Sequence, residues 1–479
     1  MGYSRRFGAY LTVPPRYSEG SVIGLPRAAM VITNSERKSM YCPKKWWFRF
    51  GLGLDTKASA PLRFGAAFDE IMGSILEWYK LDKGVIFPLC GLDDCPFCSG
   101  DGCTHCNSTG DGVWKVVASE VLMDEDAENA IELTMKLKDA AEGWVRMYGR
   151  SMLDYKVVAV QPMIAVPVVT NAGKIYRSKV PVVKEEQGWR LARATDTEAE
   201  CRLVTLPWYQ LAKLDAIVMN RKDEKLWVWE TKTSGSPERF SKDLHLDTQL
   251  PGYTRAAWYA STVLKEWGGV GFGGYVWDVT SSQKHSTPKI LKSGLFSLAA
   301  NQRVPSWAWS EALKNKISKN LALKKIDQIQ SQFESVKLGK GSHLYATAAE
   351  KKEALKLLKE ELAEAKNLVG AWDLAFRASL TDASLYYRQW GSFTPSQLHL
   401  YEVELFSDAK RLAKWLRALP GSSQLDQQSR THVASNWPRV PLCRQPGGIC
   451  AYTGPCLEDS FEARSSFGKR ESLRWLSRK

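Results

Sequence analysis

The residues with the clearest chemical potential lie in one charged segment near the middle of the chain. Two apolar runs flank a charged turn there, a pattern typical of a β-hairpin. If Lys222 and Asp223 centre the turn, Asp215 and Glu230 are equidistant from it, so they become cross-strand neighbours with Cβ atoms ~5 Å apart. Lys232 lies two residues beyond Glu230 and therefore on the same face of an extended strand.

This pair of carboxylates with a neighbouring lysine suits one kind of chemistry. Converging carboxylates offer hard oxygen ligands to Mg²⁺ or Mn²⁺, and such a cation retains waters and recruits a substrate phosphate. It lowers the pKa of a bound water and offsets charge in the transition state. Lys232 can orient the attacking hydroxide or stabilise developing negative charge. The segment therefore predicts hydrolysis of a phosphodiester.

The Glu-x-Lys spacing alone carries little information. It recurs at 350–352 and 364–366, both on predicted helices, where ordinary surface charge explains it. Glu230 differs because it ends an apolar strand and has an upstream aspartate as its partner.

A sheet with helices packed on it is needed to position these residues. Apolar runs predict strands at 155–169, 214–219, 226–229 and 272–279. Helical spacing predicts helices at 65–79, 125–149 and 250–267, and a mostly helical stretch at 306–385 that includes one arm of a helical hairpin. The predicted fold class is therefore α/β, with a small mixed sheet flanked by helices.

The order of motifs along the chain resembles a known nuclease group. The motifs are Gly65-x-x-x-Asp69, Asp215, Glu230-x-Lys232 and Gln249-x-x-x-Tyr253. Together they are similar to the RecB-like branch of the PD-(D/E)xK nucleases, over residues 65–253 of 479. The resemblance implies a restriction-endonuclease-like core in which Asp215 and Glu230 bind the metal and Lys232 assists the nucleophile. It also implies that Gln249 and Tyr253 shape the site from a helix and contact DNA.

Asp69 is the departure from this pattern that matters, because relatives usually carry histidine at its position. A carboxylate adds charge and an oxygen ligand. The expected ligands of Mg²⁺ or Mn²⁺ are therefore Asp69, Asp215, Glu230 and Thr231. The alternative is that the motif has degenerated and Asp69 is an ordinary residue of a helix surface.

Four cysteines from opposite ends of the chain form a second candidate metal site. They are Cys42, Cys443, Cys450 and Cys456. Their open spacing differs from the Cys-x2-4-Cys pairs of a zinc knuckle and suits a [4Fe–4S] cluster. The segment that begins at Cys42 is similar to the first cysteine motif of CRISPR-associated RecB-like exonucleases and AddB-type nucleases. This resemblance implies a structural cluster that joins both ends of the nuclease domain, with zinc in the same pocket as the alternative.

A cysteine-rich loop forms a third candidate metal site. Its two Cys-x2-Cys pairs are Cys95, Cys98, Cys103 and Cys106. Such pairs form metal-chelating turns, and the glycines between them allow the backbone to wrap an ion. Residues 95–110 resemble the repeat of DnaJ-type zinc domains, so we expect one structural Zn²⁺. Cys90 and His105 are further candidate ligands.

The composition favours a polyanionic partner such as DNA. Lys and Arg number 66 against 52 acidic residues, a net charge of +14. Weaker candidates for DNA binding are Lys289 and Lys292, in a loop that resembles a basic loop of phage-encoded members of the group. Lys314, Lys316 and Lys319 lie on a predicted helix, where a solvated surface is the alternative.

Neither a membrane nor an export route is expected from the sequence. No apolar stretch approaches the ~18 residues that span a bilayer. The N-terminus lacks the apolar run of a secretory signal. We therefore expect no membrane partner and a cytoplasmic location in a prokaryote or a phage-infected host.

The expected organisation has six segments. They are an N-terminal lead-in (1–38), the first cluster cysteine with N-terminal helices (39–85), a zinc-binding insertion (86–112), the nuclease core (113–285), a basic helical elaboration (286–400) and a C-terminal iron–sulfur segment (401–479). We expect a metal-dependent exonuclease acting on single-stranded DNA ends, in repair, recombination or phage genome processing. Its protein partners would belong to recombination, replication or CRISPR adaptation. The alternatives are a non-catalytic DNA-binding scaffold subunit and a CRISPR adaptation factor that trims DNA.

Overall fold

A computed structural model describes the parts of the chain that surround the predicted hairpin. The described residues are 22–25, 28–40, 43–46, 49, 54–55, 60–89, 127–185, 188–192, 196–237, 249–263, 269–283, 287–299, 304–338, 347–382, 385–418, 444–445, 448–449, 468–469 and 475–477.

The described residues alternate between strands and helices. The strands are β1 (Val22–Ile23), β2 (Ala28–Thr33), β3 (Leu54–Asp55), β4 (Tyr155–Val160), β5 (Met163–Pro167), β6 (Arg177–Glu185), β7 (Gly188–Leu191), β8 (Cys201–Lys213), β9 (Ala216–Asn220), β10 (Leu226–Ser234), β11 (Phe272–Ser281), β12 (Tyr386–Gly391), β13 (Arg444–Gln445), β14 (Gly448–Ile449), β15 (Gly468–Lys469) and β16 (Trp475–Ser477). The helices are α1 (Asn34–Met40), α2 (Pro43–Trp46), α3 (Ala60–Lys80), α4 (Ala127–Tyr148), α5 (Gln249–Val263), α6 (Ser306–Leu313), α7 (Lys319–Lys337), α8 (Ala348–Thr381) and α9 (Pro395–Arg417). None of the described helices is long and apolar enough to cross a membrane.

Two mixed sheets with helices packed on them give the chain its α/β class, as predicted. Sheet I has seven strands, with the path β1-β5-β8-β2-β16 and with β6 joining β8 to β7. Sheet II has five strands in the order β12-β11-β10-β9-β4. In sheet II, β10 and β11 are parallel and the other pairs are antiparallel.

Sheet II carries the predicted hairpin and is covered on both faces. Successive residues of a strand point to opposite faces. Val218 and Trp229 therefore join the apolar cluster formed with α3 and α4, whereas Ile217 and Val228 join the cluster formed with α5. Burial on both faces explains why β10 appears in the sequence as a continuous apolar run instead of an alternating one.

Sheet II is the small mixed sheet that the sequence predicted around the hairpin, whereas the larger sheet I was not predicted. The run 155–169, predicted as one strand, divides at Gln161 and Pro162 into β4 and β5, which belong to different sheets. Strands β6, β7 and β8 were also missed. Strand β8 has 13 residues, and buried and exposed side chains do not alternate regularly along it. Its first half pairs with β6, whereas its second half lies between β5 and β2 and is mostly buried.

Helix α9 ties sheet I to helices α1 and α5. Tyr401 Oη accepts a hydrogen bond from Gln210 Nε2 at 2.6 Å, inside β8. Glu402 and Asp408 form ion pairs with two buried arginines: Arg255 Nε lies 2.7 Å from Glu402 Oε1, and Arg37 Nε lies 2.8 Å from Asp408 Oδ2. These contacts fix α5, which borders the candidate site, against the rest of the molecule.

The predicted helical hairpin is formed by α7 and α8. Helix α8 begins at a capping box, in which Thr347 and Glu350 satisfy each other's backbone N–H groups. Phe296 and Trp309 pack with α8 in a separate apolar cluster. This small core is therefore shared by α6 and α8.

Candidate active site

The predicted register of the β9–β10 hairpin is confirmed. Leu226 pairs with Met219, and the pairing continues to Trp229 opposite Ala216. The next pair in this register is Glu230 with Asp215, so the two carboxylates flank the same point of sheet II. Lys232 follows on the same strand and the same face as Glu230.

Asp215 stands where the chain passes from one sheet to the other. Strand β8 of sheet I ends at Lys213 and β9 of sheet II begins at Ala216. Strands β4 and β5, which pair with β9 and β8 in antiparallel fashion, pass from sheet II to sheet I at the same point. Gln161 N donates to Asp215 O at 2.8 Å, and Leu214 N donates to Pro162 O at 3.1 Å. This paired crossover fixes the backbone that carries the aspartate.

Thr231 orients the Asp215 carboxylate. Asp215 Oδ2 accepts hydrogen bonds from Thr231 N at 2.7 Å and from Thr231 Oγ1 at 2.8 Å. Hydrogen bonds to a carboxylate are charge-assisted and short, so these two bonds fix the orientation of the Asp215 side chain. Thr231 was predicted as a ligand of the cation, and that role stays a prediction; in the structure its amide and hydroxyl both contact the Asp215 carboxylate.

Glu230 and Lys232 form a buried ion pair. Glu230 is 1% exposed, and its Oε1 pairs with Lys232 Nζ. Lys232 Nζ also donates to Thr231 O at 3.0 Å. Among the residues that the structure describes, Glu230 Oε2 is buried and has no hydrogen-bond partner. Leaving a buried carboxylate oxygen unpaired costs free energy, so this oxygen is suited to a cation.

Asp69 belongs to the same electrostatic site. It lies on α3, where Gly65 is close enough to β10 that a Cβ at this glycine would be 3.5 Å from Thr233 Oγ1. Burial, and then the negative charge of Asp215, raise the pKa of Asp69 from 3.8 to about 7. Lys232 and Lys213 act in the opposite direction. The Asp69 carboxyl is therefore within electrostatic reach of the hairpin residues.

The pKa of Glu230 is also raised, to well above its usual value. Burial is the main cause and the charge of Asp215 is the second, while Lys232 opposes both. Burial and the neighbouring carboxyl groups thus favour the protonated form of Glu230, whereas the Lys232 ammonium favours the ionised form that completes the ion pair.

Gln249 and Tyr253 both lie on α5, and the Tyr253 phenol is within electrostatic reach of Glu230 and Lys232. The role that the resemblance implies for them stays a prediction. Gln249 Nε2 donates to Tyr253 Oη, and Tyr253 is buried. Burial, followed by the charge of Glu230, raises the pKa of Tyr253 well above its usual value. Its phenol therefore stays protonated. Pro251 lies in the first turn of α5, where a missing N–H is tolerated.

The donor set fits a hard divalent cation, with one restriction. It supplies carboxylate oxygens, one of them unpaired and buried, as Mg²⁺ and Mn²⁺ prefer. Over the described ranges, however, no group of three His, Cys, Asp or Glu side chains is close enough to hold a metal ion. Binding by Asp69, Asp215 and Glu230 together would therefore require the side chains to rearrange.

Two residues of the site were missed by the sequence reasoning. Lys213 is a second cation near Asp69, and Gln161 contacts the backbone of both Asp69 and Asp215. For Gln161 the sequence offered one signal, which is the polar Gln161-Pro162 step inside an apolar run. Nothing local in the sequence marks Lys213.

The cysteine sites lie outside the described residues. This applies to the [4Fe–4S] ligands Cys42, Cys443, Cys450 and Cys456 and to the zinc ligands Cys95, Cys98, Cys103 and Cys106.

The lysines predicted to bind DNA are all exposed. Lys289 and Lys292 belong to a turn that is attached to α8 where Phe296 N donates to Asn367 Oδ1 at 2.8 Å. Lys314 and Lys316 lie between α6 and α7. Lys319 Nζ is engaged by Asp373 Oδ1 at 2.6 Å, so its charge is partly neutralised.

The raised pKa of Asp69 predicts how stability depends on pH. The folded state binds more protons than the unfolded state between pH 3.8 and about 7. The stabilising contribution of this group is therefore complete below pH 3.8 and is lost as the pH rises through about 7. In EDTA, the melting temperature should fall by a few degrees between about pH 5 and about pH 8, and Asp69→Asn should remove much of this fall.

A divalent cation should reverse the trend, because it competes with the proton for the same oxygens. Scanning calorimetry with Mn²⁺ should therefore give a larger rise in melting temperature at the higher pH. A rise that is equal at both pH values would contradict the raised pKa.

Comparison with known protein families, curated proteins and solved structures gives no match for this chain.

Proposed function

We propose that this chain is a divalent-metal-dependent deoxyribonuclease that hydrolyses phosphodiester bonds, with single-stranded DNA ends as its substrate. The observation that carries the proposal is the hairpin register, which brings Asp215 and Glu230 to the same point of sheet II with Lys232 beside them. Asp69, Gln249 and Tyr253 complete the motif order from two neighbouring helices.

The carboxylates Asp215 and Glu230, with Asp69, would hold Mg²⁺ or Mn²⁺. When bound, such a cation lowers the pKa of water and offsets charge on the phosphate. Thr231 holds the Asp215 carboxylate in its orientation through two hydrogen bonds. The unpaired Oε2 of Glu230 is a ligand atom that needs no hydrogen bond to be broken before it binds.

Lys232 acts as a protonated ammonium group in this mechanism. Burial alone would lower its pKa, but Glu230, Asp215 and Asp69 outweigh burial and raise the pKa well above the usual value. The ammonium therefore keeps its proton at Nζ. It can donate to the attacking oxygen or to a phosphate oxygen, whereas a role as general base is disfavoured.

Tyr253 supports the same step as a neutral donor. Its phenol remains protonated for the reason given above, and Gln249 donates to its oxygen. The phenolic hydrogen is thus left for a substrate oxygen at the edge of the site. A buried neutral donor orients a phosphate without adding charge to the site.

DNA as substrate is supported by charge. The net charge of +14 favours a phosphate backbone, and Lys289, Lys292, Lys314 and Lys316 are exposed. The [4Fe–4S] cluster and the Zn²⁺ remain predictions from the cysteine spacing. Repair, recombination, phage genome processing and CRISPR adaptation are settings in which this activity would serve.

Linear and circular single-stranded DNA of one sequence, with RNA as a third substrate, test the substrate assignment. With Mn²⁺ the linear DNA should be degraded, the circle should persist, and the RNA should be cleaved much more slowly. Degradation of the circular DNA would show that the chain is an endonuclease and not an exonuclease. Equal cleavage of RNA would remove the preference for DNA.

A further inference from the structure

Gln161 occupies an unusual backbone conformation beside the candidate site. Its φ is +47°, in the left-handed region that residues other than glycine, asparagine and aspartate seldom adopt. It forms the step between β4 and β5, where the chain changes sheets. Its backbone N donates to Asp215 O at 2.8 Å.

The side chain of Gln161 reaches a different element. Nε2 donates to Asp69 O in the middle of α3, at 3.2 Å. A helical carbonyl already accepts from the N–H four residues later, so this bond uses the second lone pair of the oxygen. One residue therefore contacts the backbone of two acidic residues that lie 146 positions apart in the chain (215 − 69).

Gly73 makes this contact sterically feasible. A Cβ at this helical glycine would stand 2.7 Å from Gln161 Nε2. Glycine inside a helix costs roughly 0.5–1 kcal/mol relative to alanine, so its presence there calls for a local reason. The space required by the Gln161 amide supplies that reason.

We propose that Gln161 is a positioning residue that sets the distance between the Asp69 and Asp215 carboxylates and thereby the affinity for the divalent cation. The inference rests on the proposed function and adds a residue to its site. Glycine or asparagine would adopt the observed φ more easily, but only a side chain as long as glutamine reaches Asp69 O. Residues that orient metal ligands from outside typically contribute about 10–100-fold in metal affinity or activity.

Two variants perturb the contact from opposite sides. Gln161→Asn keeps an amide and tolerates the left-handed backbone, but it is one methylene too short to reach α3. Gly73→Ala leaves Gln161 unchanged and displaces its amide, while it improves helix propensity. If the contact served stability alone, both variants would have a lower melting temperature. If it positions the carboxylates, the melting temperature should stay nearly unchanged, or rise in Gly73→Ala.

Two further variants serve as controls. Gly143→Ala is a helical glycine substitution on α4, where the new methyl group would overlap the Tyr386 side chain. It should lower stability without changing metal affinity per folded molecule. Gln328→Ala removes an exposed glutamine from α7 and should change neither quantity.

Mn²⁺ binding measured by titration calorimetry, with kcat and KM for linear single-stranded DNA, decides the question. We expect both Gln161→Asn and Gly73→Ala to weaken Mn²⁺ binding by about 10–100-fold, with a fall in kcat at fixed Mn²⁺ and little change in KM. If the wild-type chain binds Mn²⁺ and both variants bind it with the same affinity, the inference about Gln161 is wrong while the proposed function stands. Absence of Mn²⁺ binding by the folded wild-type chain would overturn the proposed function and, with it, this inference.

Discussion

Asp215→Ala and Glu230→Ala should each reduce DNA cleavage to the level seen with EDTA, and Lys232→Ala should reduce it by at least about 100-fold. The first two substitutions remove ligand oxygens. The third removes a protonated donor whose charge offsets that of the transition state. All three residues lie next to one another at the end of the β9–β10 hairpin.

Metal binding separates the roles of these residues. Asp215→Ala and Glu230→Ala should lose Mn²⁺ binding in calorimetry. Lys232→Ala should keep it, because the lysine supplies no ligand atom and its removal takes a competing cation away from Glu230 Oε1. DNA binding by all three variants should stay within a few-fold of wild type, since most affinity comes from phosphate contacts elsewhere.

The chain contains its own matched controls. Glu364 and Lys366 have the same Glu-x-Lys spacing but are exposed on α8. Glu364→Ala and Lys366→Ala should leave cleavage unchanged, because exposed helix charges of this kind serve solubility. Full activity in Asp215→Ala and Glu230→Ala would rule out the proposed site.

Asp278→Ala should destabilise the protein by about 3–5 kcal/mol, because it leaves a buried arginine without its counter-charge. Asp278 is fully buried on β11, and Arg388 Nε on β12 lies 2.5 Å from its Oδ1. Trp144 Nε1 and Trp229 Nε1 also donate to Asp278 Oδ2, at 3.0 and 3.2 Å. Trp229 directly precedes Glu230, so this network braces the strand that carries the site.

Urea denaturation provides the measurement. Lys356→Ala removes one partner of an exposed ion pair with Glu353 on α8 and should cost less than about 1 kcal/mol. Replacing both partners of the buried pair, in Asp278→Asn with Arg388→Met, should recover part of the loss, since no uncompensated charge remains. A loss below about 1 kcal/mol for Asp278→Ala would show that the arginine finds another partner or water.

The hairpin could be predicted because its information is local. The turn, the two apolar runs and the charged residues all lie within 20 positions (213 to 232), so symmetry about Lys222 and Asp223 determined the register. Helices α3, α4 and α8 were predicted for a similar reason, because each buries an apolar stripe that repeats at helical spacing.

Sheet I and Gln161 could not be predicted in this way. Met30 of β2 pairs with Trp208 of β8, 178 positions away in the chain (208 − 30), and local patterns do not specify such partners. The left-handed turn at Gln161 exists because two strands change sheets together. The sequence marks only a polar step at Gln161-Pro162, and the left-handed conformation there follows from the strand pairing.

The most direct test of the central claim is digestion of end-labelled single-stranded DNA by the purified chain with Mg²⁺, Mn²⁺ or EDTA. Wild-type protein should shorten the DNA with either cation and leave it intact in EDTA, while Asp215→Ala should bind the DNA and leave it intact throughout. Folded wild-type protein that binds DNA but cleaves none with any cation would contradict a nuclease and support a DNA-binding scaffold instead.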